Sequence, residues 1–331
     1  MASAYLNKLT AWADGLVSRP GAYLASEPGM KRVGLANAMK LGKAYNRLRY
    51  QRRRKLHQRA YRHELANLLR ENGGDPANAP KVRIHDGWAI DTSHSLPHLD
   101  RLLEAGREII SERAGRTFGD IQYPFLRYLN FPDDLVKYPA ILDFITSSDL
   151  LAIASEYLGT IPVMSKCLPP GVRFMESNAK LDPDNHLPPR QSQLYHIDYY
   201  DSPQAYVLVL MEDVTLECGP WTFLPASVTD RVATQLGYRG RGRGYRVPDE
   251  EIYPHLDKSE EIVFAYPKGT VLFIDSSRCF HFGSRNSVKP RYMMAYALQS
   301  PCRCDFAYAR LSQLKYPLSP DASRLRKMVL R

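Results

Sequence analysis

The chain is short of cysteine and has no long apolar run, and each shortage excludes a class of protein. Five cysteines (Cys167, Cys218, Cys279, Cys302 and Cys304) are scattered over 331 residues. Their spacing makes no zinc clip, and Cys302-Arg303-Cys304 is too tight for one, so ordinary reduced thiols are expected. No stretch approaches the ~20 apolar residues that span a bilayer. The opening MASAYLNKLTAWADGL places Lys8 and Asp14 where a secretory signal needs unbroken apolar sequence. These absences predict a cytoplasmic protein without a transmembrane segment.

An excess of positive charge is missing from most of the chain as well. The formal net charge is +10. Between Lys40 and Arg70 eleven Lys and Arg residues face a single acid, Glu64, so that segment carries the whole excess. A uniformly basic protein that coats nucleic acid is excluded. The basic segment itself reads in three ways: a solvated helix face or subunit contact, a contact for an anionic partner, or a membrane-surface element. No sequence-reading nucleic-acid motif accompanies it.

What is abundant is material for a core: 44% hydrophobic residues and 11% aromatics, with 21 tyrosines. Residues 1–80 read as a polar, basic helical extension. Its amphipathic stretches around Leu41–Leu48 and Leu56–Leu69 are interrupted by Gln51-Arg52-Arg53-Arg54-Lys55, where no face is apolar. The Gly-, Pro- and Asn-rich segment Glu71–Pro80 marks a boundary. After it, VRIHDGWAI reads as a strand, Leu96–Ala114 as a helix, and residues 135–158 as a second helical region. From Ile161 onward short strands alternate with Pro and Gly: Ala205–Val214, Gly219–Pro225, Glu261–Pro267, Gly269–Asp275 and Arg291–Gln299. Strands at near-regular spacing without intervening helices predict an α+β chain built on a jelly-roll core, occupying residues 81–310, with a C-terminal tail at 311–331.

Within that core, YHIDYYD sets His196 and Asp198 two residues apart. On a strand, residues i and i+2 share a face, so an imidazole and a carboxylate can enter one cavity together. The same His-x-Asp spacing occurs at His98-Asp100, where a helix begins, and at His255-Asp257, in a charged turn. Only His196-Ile197-Asp198 leads toward a strongly apolar strand. A third ligand from a distant strand would complete a two-histidine, one-carboxylate face that leaves coordination sites open on an octahedral metal. His281 lies between two apolar strands, and Arg291 opens the strand ten residues later. Alternation puts Arg291 with Met293, Ala295 and Ala297 on one face, where a guanidinium needs an anion. Taken singly, His281 reads equally as a surface loop residue and Arg291 as an exposed charge. In this order, behind His196-x-Asp198, they predict a metal site with a carboxylate-binding arginine.

These residues, together with Glu217–Val228 (ECGPWTFLPASV) and the early DGWAI (Asp86–Ile90), resemble the phytanoyl-CoA dioxygenase-like branch of the iron(II)/2-oxoglutarate oxygenases over roughly residues 82–305. The resemblance implies a double-stranded β-helix. It also implies iron(II) held by His196, Asp198 and His281, 2-oxoglutarate as co-substrate with its distal carboxylate on Arg291, and dioxygen as oxidant. Two positions depart from the family pattern. Pro225-Ala226-Ser227-Val228 lacks the family's Gly and His, and Gly283 stands where many relatives carry a serine, which leaves Ser284 as the co-substrate contact. The carboxylate of Asp198 favours hydroxylation over halogenation, because halogenating relatives have a small residue there.

The expected activity is therefore hydroxylation of a small-molecule metabolite, with 2-oxoglutarate decarboxylated to succinate. The alternative is a catalytically silent jelly-roll binding protein whose basic arm recruits an anionic partner. Leu181–Gln193 is expected at the cavity entrance, with Gln193 and Tyr195 flanking the site. The Arg/Gly tract Tyr238–Pro248 reads as a mobile loop or lid, a contact for an anionic substrate, or a nucleic-acid contact.

Overall fold

The computed structural model describes residues 23–24, 26–71, 82–115, 123–165, 171–182, 184–304 and 316–330. The boundary segment expected at Glu71–Pro80 lies almost wholly outside these residues, as does Cys167.

Among the described residues, twelve strands form two antiparallel sheets. In chain order they are β1 (Trp88–Asp91), β2 (Leu126–Tyr128), β3 (Val163–Met164), β4 (Val172–Ser177), β5 (Tyr195–His196) and β6 (Gln204–Leu210), then β7 (Trp221–Phe223), β8 (Arg246–Val247), β9 (Ile262–Phe264), β10 (Val271–Ile274), β11 (His281–Phe282) and β12 (Arg291–Gln299). The larger sheet runs β1-β10-β6-β12-β4-β2, with β3 added on β12; the smaller runs β8-β5-β11-β7-β9. Met175, Leu208, Leu272, Met293 and Ala295 of the larger sheet meet Phe223 and Phe264 of the smaller in one buried cluster, so the sheets face each other as a jelly roll.

The larger sheet is covered on its outer side too. Met294, Tyr296 and Leu298 point away from the cavity into a second cluster, with helices α3 (Leu99–Arg113), α4 (Ala140–Ile145) and α5 (Ser148–Leu158). Burial on both faces explains why β6 and β12 read as nearly continuous apolar runs rather than as a clean alternation. Helix α7 (Arg324–Leu330) joins the same cluster through Met328, Val329 and Leu330.

The basic segment forms two helices, α1 (Leu35–Arg49) and α2 (Gln51–Glu71). The expected interruption at residues 51–55 is instead the first turn of α2. Arg, Lys and Gln are good helix formers and need no apolar face to start one. Both helices are fastened to the jelly roll. Lys43 pairs with the buried carboxylate of Asp201 and donates to Ser300 Oγ at 2.9 Å. Asn46 donates to the Arg303 carbonyl at 2.8 Å. Gly42 lies so close that a Cβ there would stand 1.6 Å from the Cys304 carbonyl oxygen.

The Arg/Gly tract is fastened as well. The Gly242 amide donates to the Lys31 carbonyl, Ala36 donates to the Arg239 carbonyl, and Arg239 and Arg243 pair with Asp230 and Glu251. Among the described residues no helix is long and apolar enough to cross a membrane.

His57 on α2 is buried, and its Nδ1 donates to the Ile161 carbonyl at 2.8 Å. Burial lowers its pKa from 6.5 to about 4, partly offset by that hydrogen bond. The unfolded chain therefore takes up a proton at His57 before the folded one does. Its stabilising contribution is complete above about pH 6.5 and declines as the pH falls toward 4, by up to ~1.4 kcal/mol per pH unit. Urea unfolding at about pH 7.5 and about pH 5 should show His57→Gln with a shallower acid loss than the native chain; an identical loss would show that His57 is not neutral in the fold.

Candidate metal and anion site

The inner faces of the two sheets line a cavity that opens to solvent. His196, Asp198, His281, Ser284 and Arg291 all line it, so the residues singled out from sequence converge. His196 and His281 are direct cross-strand partners in β5 and β11. Their ring centroids are 4.4 Å apart, and His281 Nε2 is 3.9 Å from Asp198 Oδ2. The strand is shorter than expected around the first pair, because β5 ends at His196. Asp198 stays aligned because its amide donates to the Ser276 carbonyl at 2.8 Å. Alternation holds through the segment: Tyr195 and Ile197 enter the cluster behind the smaller sheet, whereas His196 and Asp198 face the cavity.

The ring orientations suit metal binding. His196 Nδ1 lies 2.8 Å from the Leu194 carbonyl and His281 Nδ1 lies 2.9 Å from the Cys279 carbonyl. A carbonyl only accepts, so each Nδ1 carries the proton and each neutral ring presents its Nε2 lone pair to the cavity. Desolvation lowers the pKa of both rings, and for His196 repulsion from His281 adds to it. One ligand atom from each of His196, Asp198 and His281 lies within 4.8 Å of the others, and this is the one such cluster among the described residues. Two imidazoles and a carboxylate form a donor set suited to a divalent first-row metal. Trp221 stacks on His281 with centroids 4.5 Å apart and planes 28° from parallel, holding the ring from its other face. Trp221 was not singled out from the sequence, although it lies in the segment Gly219–Pro225 read there as a strand.

Arg291 is 4% exposed. Its Nη1 donates to the Gly219 carbonyl at 2.7 Å and its Nη2 to Ser284 Oγ at 3.2 Å, while Nε is buried without an acceptor. These partners are neutral, and burial depresses the pKa of the group from 12.5 to about 10. A buried guanidinium with an unmet donor and no carboxylate beside it has the chemistry of an anion site. Ser284 is held in the left-handed region at φ 64, with its carbonyl bound by Gln193 Nε2 at 2.8 Å. Gln193 thus orients the site from behind. Tyr195 donates to Glu261 and faces away. The decoys stay apart: His98 caps α3, and His255-Asp257 lies in short turns.

Both departures from the family pattern have local causes. A Cβ on Gly283 would stand 2.9 Å from Trp221 Cδ1 and 3.4 Å from both terminal nitrogens of Arg291, so the close packing of those side chains leaves no room for a serine. Ser227, at the start of helix α6 (Ala226–Gln235), donates its amide and hydroxyl to Asp86 at 2.8 and 2.5 Å. That loop joins α6 to the turn before β1 rather than to the metal site.

No family model matches the chain, and no curated protein matches it. Solved structures do resemble it. The non-heme α-ketoglutarate-dependent carbocyclase SnoK from nogalamycin biosynthesis has a TM-score of 0.45 and 16% identity, covering 80% of this chain and 94% of that one. EctD from S. alaskensis with 2-oxoglutarate and 5-hydroxyectoine has a TM-score of 0.42 and 12% identity, covering 65% and 72%. HygX from Streptomyces hygroscopicus with nickel and 2-oxoglutarate has a TM-score of 0.41 and 12% identity, covering 64% and 82%.

The Gly283 contact gives a direct check. Gly283→Ala should cost about 1–3 kcal/mol in urea unfolding, as overpacking of a filled site does. An unchanged midpoint would mean that Trp221 and Arg291 move aside freely.

Proposed function

We propose that the chain is an iron(II)/2-oxoglutarate-dependent oxygenase of the phytanoyl-CoA dioxygenase-like type, hydroxylating a C–H bond of a small molecule. The observation that carries this reading is the convergence, in one cavity, of a neutral His196/His281 pair, the Asp198 carboxylate and the charge-unmatched Arg291. Iron(II) with 2-oxoglutarate and dioxygen supplies a coupled oxidation, in which the oxo acid becomes succinate and CO₂ while the substrate C–H becomes C–OH. His196, Asp198 and His281 would hold the metal, and a three-ligand set would leave positions for the co-substrate and dioxygen. Arg291, steadied by Gly219 and Ser284, would take the distal carboxylate, and its free Nε–H gives that carboxylate a donor no protein group now uses. Trp221, Met293 and Leu208 line the same cavity and would limit water around a bound metal.

Anaerobic titration with iron(II) and 2-oxoglutarate tests the reading through the visible charge-transfer absorption of the chelate. The native chain should develop the band and release succinate when oxygen is admitted. His196→Ala should abolish it. Arg291→Ala should retain iron yet weaken 2-oxoglutarate binding by about tenfold or more, the scale of a lost charge-assisted pair. Absence of the band and of succinate in the native chain would favour a silent binding protein instead.

A further inference from the structure

The cavity contains a second arginine for which neither the metal face nor the co-substrate has a use. Arg173 lies on β4, whose residues Arg173, Met175 and Ser177 pair across to Ala295, Met293 and Arg291 of β12. Partners in such a ladder share a face, so Arg173 and Arg291 point into the same cavity from opposite ends of one strand pair. Four residues separate their levels, roughly 13 Å at ~3.3 Å per residue. Arg173 lines the cavity wall with Asp198, Tyr128, Tyr200 and Tyr206.

We propose that Arg173 anchors an oxyanion group (carboxylate, phosphate or sulfate) of the primary substrate, whose apolar body lies between it and the metal face. This rests on the oxygenase reading above and specifies its substrate class.

Three observations converge on it. First, among the described residues no carboxylate lies within ion-pair distance of Arg173 and no hydrogen bond fixes its guanidinium. Burial works against its charge, the Asp198 carboxylate across the cavity favours it, and the guanidinium stays protonated. Burial also raises the pKa of the Tyr128 phenol, so that neighbour supplies a dipole and not a countercharge. Second, the charges of the cavity do not balance. Its charged side chains are two guanidiniums and the Asp198 carboxylate. Adding a divalent metal and a dicarboxylate leaves one positive charge over, at the end away from Arg291. A bound anionic group offsets it. Third, Tyr123, Leu126, Tyr128, Met175 and Leu208 make the surrounding wall aromatic and aliphatic, which suits a ligand with an apolar body behind its anionic head.

The test compares the native chain with Arg173→Met and Arg173→Lys, each loaded anaerobically with iron(II) and saturating 2-oxoglutarate. Chelate absorption reads co-substrate affinity. Isothermal titration calorimetry then reads binding of 4-phenylbutyrate, phenyl phosphate and the neutral 4-phenylbutanol. The native chain should bind one or both anions about tenfold or more tightly than the alcohol. Arg173→Met should erase that preference while the chelate forms at an unchanged 2-oxoglutarate concentration, and Arg173→Lys should restore part of it. The proposal is overturned if neither anion binds the native chain, if Arg173→Met binds them as tightly, or if Arg173→Met loses 2-oxoglutarate instead, which would make Arg173 a co-substrate ligand. Failure of the native chain to form any chelate is a separate result: it removes the oxygenase reading, and the substrate role with it, however the anions bind.

Discussion

The pairing of His196 with His281 across β5 and β11 is the constraint on which the site depends. Each of these strands is two residues long in the smaller sheet, and side chains alternate faces at every residue. A slip of one residue in either would carry an imidazole into the apolar cluster behind the sheet and bring Tyr195, Ile197, Phe280 or Phe282 into the cavity. The apolar partners of those four side chains therefore keep the two histidines aimed at each other. Short strands alone could not hold this register. The Asp198–Ser276 backbone hydrogen bond and the Trp221 stack extend the alignment beyond the paired residues.

The order of elements and the inward set on β12 could be read from sequence because each rests on a local pattern. Period-two alternation sorted Arg291, Met293, Ala295 and Ala297 from their neighbours, and the structure places them on the cavity side of the larger sheet. What could not be read depends on contacts between distant segments. Arg173 sits in β4, which was not among the strands read from the sequence, and its isolation shows only when β2, β6 and β12 are assembled around it. The crowding at Gly283 likewise exists only because Trp221 and Arg291 arrive from other strands.

The basic segment illustrates the same limit from the opposite side. Its charge was plain, but its attachment was not. One lysine meets a buried aspartate, one histidine meets a backbone carbonyl, and one glycine permits backbone-to-backbone contact. These three residues are hidden in a run whose composition looks entirely solvated. The Arg/Gly tract behaves similarly. Alternating Arg and Gly reads as mobile, yet its carbonyls, amides and guanidiniums are tied to the N-terminal helices, to Asp230 and to Glu251.

The partial satisfaction of Arg291 has a consequence for timing. Its guanidinium is largely buried when the chain folds, and two of its donors are already directed by Gly219 and Ser284. A carboxylate that reaches it meets a cation already largely buried and held in place by two hydrogen bonds. The ordering cost that usually weakens the capture of a flexible dianion falls mainly on the ligand. On the proposed function, folding would thus carry out the first stage of anion recognition, the second waiting for solute.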